Sequence, residues 1–114
     1  MNRYYSITSK YDHHKSKLYF SRIELNIILE YYAFGVSKGN WKDYAIKFEK
    51  NKAHFHFFKN SSEKPIISIS KKASTKKNEY NFQLLESDSK FITDKKIDNL
   101  FIYLKRKNIK LVNK

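Results

Sequence analysis

Residues 20–58 read FSRIELNIILEYYAFGVSKGNWKDYAIKFEKNKAHFHFF, and the hydrophobic period of this stretch changes halfway along it. Ser21 followed three positions later by Glu24 forms a capping box, in which each side chain satisfies a backbone amide of the other. Phe20 before the cap and Leu25 after it are placed as a hydrophobic staple. Leu25, Ile28, Leu29, Tyr32 and Val36 then recur at spacings of three and four, the apolar face of one helix. Gly39 is a natural stop, because glycine accepts the left-handed conformation that ends helices. Asn40 and Trp41 turn the chain. From Asp43 the period is two: Tyr44, Ile46 and Phe48 share one face of a strand, and Asp43, Ala45, Lys47 and Glu49 share the other. Lys50-Asn51 reads as a hairpin turn, with Asn tolerating a positive φ. The return strand points Ala53, Phe55 and Phe57 inward and His54, His56 and Phe58 outward.

Outward from this stretch the pattern continues. NSSEK is a loop, and Pro65 opens a third strand where its missing amide does no harm. Ile67 and Ile69 point in; Ser68 and Ser70 point out. Residues 71–78 read as a basic, polar loop. The fourth strand, EYNFQLL, turns Tyr80, Phe82 and Leu84 inward and Asn81 and Gln83 outward. ESDS is a turn. A final helix is expected over residues 94–107, capped by Thr93 or Asp94. Its inner face is Ile97, Leu100, Phe101 and Leu104. Lys105, Arg106 and Lys107 fall in its last turn, where cations complement the helix dipole. Ile109, Leu111 and Val112 alternate in a tail. The expected order is α-β-β-β-β-α: a single two-layer α+β domain over residues 18–114, with a four-stranded antiparallel meander and two helices on one face. Residues 1–17 read as a flexible basic arm carrying Tyr4, Tyr5 and Tyr11.

Composition sets bounds on chemistry. A chain of 114 residues fits one domain with a real core, and nine Phe, nine Tyr and one Trp supply large buried areas from few side chains. There is no cysteine, which excludes disulfides, thiolate chemistry and Cys-ligated metal sites. The N-terminal stretch has no apolar core of a signal peptide and no run is long enough to span a membrane, so a cytoplasmic location without membrane partners is the expectation. The formal net charge is +13. Such an excess invites a polyanion partner, since Lys and Arg neutralise phosphates and release counterions. An AT-rich genome would also enrich Lys through its codons, and only three of the 24 basic residues are Arg. Codon bias does not fully explain the shortage of Asp and Glu.

The chain also resembles a short alphaproteobacterial family catalogued as domain of unknown function 2794. The residues that carry the resemblance are Glu24-Leu25-Asn26, Ile28-Leu29, Tyr31, Val36, Gly39, the block Trp41-Lys42-Asp43-Tyr44-Ala45-Ile46, Phe48, Ala53 and Phe55. Glu63, Pro65, Ile69, the basic loop 71–77 and Lys110-Leu111-Val112 extend it, so that it covers residues 20–112. It implies no activity, cofactor or catalytic residue. It does imply that a basic loop before the fourth strand is a family feature.

Several constellations have two readings. His54-x-His56 puts two imidazoles on one strand face about 7 Å apart along the chain; a metal site would need a third ligand and an orienting shell, and a half-exposed sheet face is the simpler reading. His13-His14 are adjacent in the arm and do not converge. Asp43 beside Trp41 lacks the second titratable group of an acid–base pair; Asp43 is expected to fix the turn by a backbone hydrogen bond while Trp41 plugs the core. There is no Gly-rich phosphate loop, nucleophile elbow or zinc-protease motif. The expectation is a non-enzymatic protein with no cofactor and no metal.

Two functional classes fit. In the first, a small basic accessory protein associates with RNA, DNA or a ribonucleoprotein through Lys71, Lys72, Lys76 and Lys77 and through Lys105, Arg106 and Lys107. The outer sheet face, with Lys47, His54, His56 and Phe58, adds stacking and charge. In the second, the chain is a protein–protein interaction module using that face, a sheet edge or the tyrosine-rich arm. Monomer and small homo-oligomer, the latter through an open sheet edge, are both compatible with the pattern.

Overall fold

The computed structural model describes residues 17–60, 64–87 and 91–112, with side chains as far as Lys107. Tyr4, Tyr5, Tyr11, His13 and His14 lie outside the described residues, as do the side chains of Ile109, Leu111 and Val112. The chain forms helix α1 (Arg22–Ser37), strands β1 (Asp43–Phe48), β2 (Lys52–Phe58), β3 (Ile67–Ala73), β4 (Tyr80–Glu86) and β5 (Phe91–Asp94), and helix α2 (Ile97–Val112). The strands make one antiparallel sheet in the order β1-β2-β3-β4-β5.

The sheet thus has five strands rather than the four expected. The added strand is only four residues long, too short for its alternation to stand out from a turn. Ile92 nonetheless pairs with Leu84 across β4 and packs against the core. Thr93 is a strand residue and not a helix cap. Asp94 ends the strand, and its Oδ1 accepts from the Lys96 amide at 2.8 Å and from Asn99 Nδ2 at 2.9 Å, bracing the entry to α2. Those two bonds hold the Asp94 carboxyl below its ordinary value, the Lys96 amide most of all. At its other end α2 runs on to Val112, so the stretch expected as an alternating tail is helical.

The entry to α1 is the capping box: Ser21 N donates to Glu24 Oε1 at 2.7 Å and Glu24 N to Ser21 Oγ at 3.1 Å. Its exit is Gly39 at φ 78°, with the Asn40 amide returning to the Gly35 carbonyl at 2.9 Å. The buried stripe is Ile28, Tyr31 and Gly35, while Leu25, Leu29 and Tyr32 are half-buried and Val36 is exposed. The expected face is therefore rotated by about one position. The reason is Trp41, which folds back under the helix and donates from Nε1 to the Tyr32 carbonyl at 2.8 Å. A Cβ on Gly35 would fall 2.0 Å from the indole Cζ2, so the helix is seated on the ring through its glycine.

Both helices cover the same sheet face. Ile28 and Tyr31 of α1 and Leu100, Phe101 and Leu104 of α2 share one core with Phe55, Phe57, Ile69, Phe82 and Leu84 of the sheet. Each such side chain contributes roughly 1.5–3 kcal/mol when fully removed from water. Tyr31, Trp41 and Phe57 form its aromatic centre, with ring centroids 4.9–6.5 Å apart.

Candidate polyanion interface

In a meander, alternate turns lie at the same end. The β1–β2 turn (Lys50, Asn51) and the β3–β4 turn (Ser74 to Glu79) therefore meet at one end of the sheet, where the chain also enters at Lys17 and Leu18. The Leu18 amide donates to the Glu49 carbonyl at 2.8 Å, which fixes that entry beside the hairpin. The β1–β2 turn forms at Lys50-Asn51 as expected, but Asn51 is not left-handed; among the described non-glycine residues only Asn78, in the β3–β4 turn, has a positive φ, at 62°. Together these segments enclose an open groove of about 390 Å³ lined by Lys17, Lys50, Lys76 and Lys77, by Asn51, Ser74, Thr75 and Asn78, and by a single acidic residue, Glu79.

Lys52 and Lys72 extend this cationic end onto the outer sheet face. They are direct cross-strand partners on β2 and β3, and both are exposed. Like charges placed opposite one another are destabilising in a sheet. Glu49 lies nearby, but its carboxylate is bonded to Lys47 at 3.3 Å, and that bond lowers its pKa. Among the described residues, Lys17, Lys50, Lys52, Lys72, Lys76 and Lys77 make no ion pair.

Lys71 is different, and here the expected basic loop is corrected. It belongs to β3, not to a loop, and the period of two points it into the core. It is 5% exposed, with Nζ 2.8 Å from Glu24 Oε1, 3.0 Å from the Tyr19 carbonyl and 4.4 Å from the centroid of Tyr80. Its charge is consumed inside the protein. The C-terminal cluster is also divided. Lys107 is half-buried against Glu86 at the far end of β4, while Lys105 and Arg106 are exposed. Since Lys76 and Lys77 precede the first residue of β4, the two expected basic clusters stand about 20 Å apart, at opposite ends of the strand. The structure does not join them.

The outer face runs from this basic end toward an apolar one. Its rows are Lys47, His54, Ser70, Gln83 and Thr93, then Ala45, His56, Ser68, Leu85 and Phe91. Phe58 is half-buried at the rim, whereas Leu85 and Phe91 are 47% and 56% exposed. The two imidazoles stack at 5.7 Å with 10° between their planes. Each shares a hydrogen bond through Nδ1 with a serine hydroxyl of β3: His54 with Ser70 at 2.9 Å, His56 with Ser68 at 2.7 Å. Burial, then the neighbouring His54 and Lys47, lowers the pKa of His56. His54 Nε2 lies 3.8 Å from Glu49 Oε1. This gives the order carboxylate, imidazole, hydroxyl, but on an open face whose backbone amides are committed to the strand ladders. Among the described residues no three His, Cys, Asp or Glu side chains are arranged to hold a metal ion.

Asp43 stands at the start of β1 with an exposed side chain, which makes no hydrogen bond among the described residues. The turn is closed instead by the Lys42 amide on the Phe58 carbonyl at 3.0 Å. Lys17, Lys50 and Lys52 escaped the sequence reading as binding residues, although the meander itself implies that the first and third turns share an end. Leu85 and Phe91 also escaped it.

The described residues form a two-layer α+β fold with one cationic end and one sheet face that neither helix covers. The chain belongs to the family described as "Protein of unknown function (DUF2794)", whose model matches residues 18–99. That span takes in α1, the whole sheet and the start of α2, together with the lysine-rich β3–β4 turn; Lys110-Leu111-Val112 falls outside it. Neither a curated protein nor a solved structure matches the chain. Among the described residues no helix is long and apolar enough to cross a membrane.

Proposed function

We propose that the protein is a small, non-catalytic binding protein that associates with nucleic acid or a ribonucleoprotein through the cationic end of its sheet. The observation that carries this reading is the groove in which Lys17, Lys50, Lys76 and Lys77 converge from three separate chain segments without an internal counter-charge beyond Glu79. Convergent ammonium groups among hydroxyl and amide side chains suit the chemistry of a phosphate backbone. Lys52, Lys72 and the imidazole pair continue the same surface across the sheet. Recognition of this kind reads charge and shape, not base identity. Lys71 has no part in it.

The test is a salt titration of binding to a mixed-sequence single-stranded RNA, followed by fluorescence anisotropy. Replacing Lys17, Lys50, Lys76 and Lys77 with Ser weakens binding and flattens the plot of log affinity against log salt by about 3, four contacts at roughly 0.7 each. Replacing Lys105 and Arg106 leaves the slope unchanged. If the four-lysine variant binds as before, the groove is not the interface. A pulldown from the native cell at physiological salt, with and without nuclease, separates the alternative: a defined protein partner that survives nuclease makes the chain a protein-interaction module.

A further inference from the structure

The two edges of the sheet are unequal. β5 is four residues long, and a short edge strand is one of the ordinary defences against sticking. β1 is six residues, DYAIKF, and carries neither proline nor bulge. The Glu49 amide donates to the Lys52 carbonyl at 2.8 Å, and β1 pairs with β2 in that register throughout. The odd-numbered residues of β1 therefore direct their backbone groups at β2. The even-numbered ones, Tyr44, Ile46 and Phe48, direct theirs away from the sheet.

That edge is self-complementary in one register. We propose that two copies of this chain pair antiparallel through β1, with Ala45 on the two-fold axis, so that Asp43 of each copy faces Lys47 of the other. Three observations converge on this register. First, it sets Tyr44 opposite Ile46, two residues whose amides and carbonyls point outward, so the two equivalent Tyr44–Ile46 pairs exchange four ladder bonds. Second, Ala45 meets its own copy in a pair without hydrogen bonds, where side chains approach most closely and a methyl group fits. Third, it turns the outward charges of the strand, Asp43 and Lys47, into two equivalent ion pairs on the outer face. A shift of two residues one way places Asp43 opposite Ala45, and the other way opposite Glu49; either shift loses both pairs. On the inner face Tyr44 is 50% exposed and packs edge-on to Tyr32 at 5.1 Å, while Val36, one turn further along α1, is 41% exposed. Continuing the sheet covers this apolar rim. An isologous contact of this kind is closed, so it makes a dimer and not a filament. The inference stands apart from the polyanion reading, because none of the groove lysines takes part.

The register predicts a pattern that a general stickiness would not produce. Sedimentation equilibrium of the full chain gives a concentration-dependent dimer. Asp43→Lys alone sets Lys against Lys twice, and Lys47→Asp alone sets Asp against Asp twice; each raises the dimer dissociation constant by about tenfold or more. Mixing the two variants restores attraction at both pairs, and the heterodimer forms with near wild-type affinity. The double variant D43K/K47D dimerises with itself. Circular dichroism shows that each variant remains folded, as surface changes of this kind should. A wild-type chain that stays monomeric to roughly millimolar concentration, or a mixture of the two single variants that does not associate, overturns the proposal.

Discussion

Lys71 and Lys72 are neighbours in the sequence and lie on opposite faces of β3. Lys71 enters the core and pairs with Glu24 beneath α1; Lys72 stays in water opposite Lys52. The lining of the cationic groove begins at the next residue, Ala73. A single run of basic residues thus contains one lysine that holds the fold together and others that are free to meet a partner. The charge of a segment is a poor guide to its binding charge when the segment is half strand and half turn. The inner face decides which charge is used for packing, and the turn decides which charges converge.

The strongest way to break this comparison is to treat the two neighbours alike. Lys71→Ala leaves the Glu24 carboxylate, itself mostly covered, without its ammonium, and removes the cation from the Tyr80 ring. Removing one member of a buried pair costs about 3 kcal/mol, whereas Lys72→Ala changes stability by less than about 0.5 kcal/mol. Urea unfolding of both variants measures the contrast. Equal effects would mean that the Glu24 pair contributes nothing. In binding the order reverses: Lys72→Ala weakens RNA association and a folded Lys71 variant does not.

Gly35→Ala sharpens the same contrast on the helix side. The new methyl would meet the Trp41 ring, and the helix must lift or the indole must move. The cost is about 2 kcal/mol, within the usual range for overpacking, visible as a lowered thermal midpoint with reduced near-ultraviolet signal from Trp41. Gly39→Ala perturbs by a different route, since there the open space is ample and only the positive φ resists. A Gly35→Ala protein as stable as the parent would mean that Trp41 is not seated under α1.

The smallest expected effect is on pH dependence. The His56 pKa is lowered on folding from the ordinary value of 6.5, first by burial and then by His54 and Lys47. The folded protein therefore binds this proton less readily than the unfolded chain. The contribution is present above pH 6.5 and is lost as pH falls through the lowered value. His56→Gln flattens stability against pH in that window. An unchanged slope would assign the pH dependence to other groups.

Much of this architecture was legible before any coordinates. The capping box at Ser21 and Glu24, the stop at Gly39 and the alternation through β2 are local rules, written in spacing and side-chain type. They gave the order of six elements, the inward set Ala53, Phe55 and Phe57, and the outward set His54 and His56. What local rules missed was either too short or set by a distant partner. β5 is four residues, and it exists because Leu84 offers Ile92 a cross-strand neighbour. The helix face turned toward Tyr31 because Trp41, ten positions further on, occupies the space below Gly35. Lys71 reads as one more basic residue until Glu24, 47 positions earlier, is seen beside it.

The site divides in the same way. Residue types and charge pointed to a polyanion surface, and the lysines of the β3–β4 turn were named from the sequence. Their partners Lys17 and Lys50 come from other segments, and the C-terminal cluster proved to lie at the opposite end of the sheet. The sequence by itself determined which elements form and which face of each strand is apolar, because helix and strand periods and caps act over a few residues. Only the tertiary structure decided which charges meet, which are buried and which strands stand at the sheet's edges, because those depend on chain segments that become neighbours through folding and on the water that folding excludes between them.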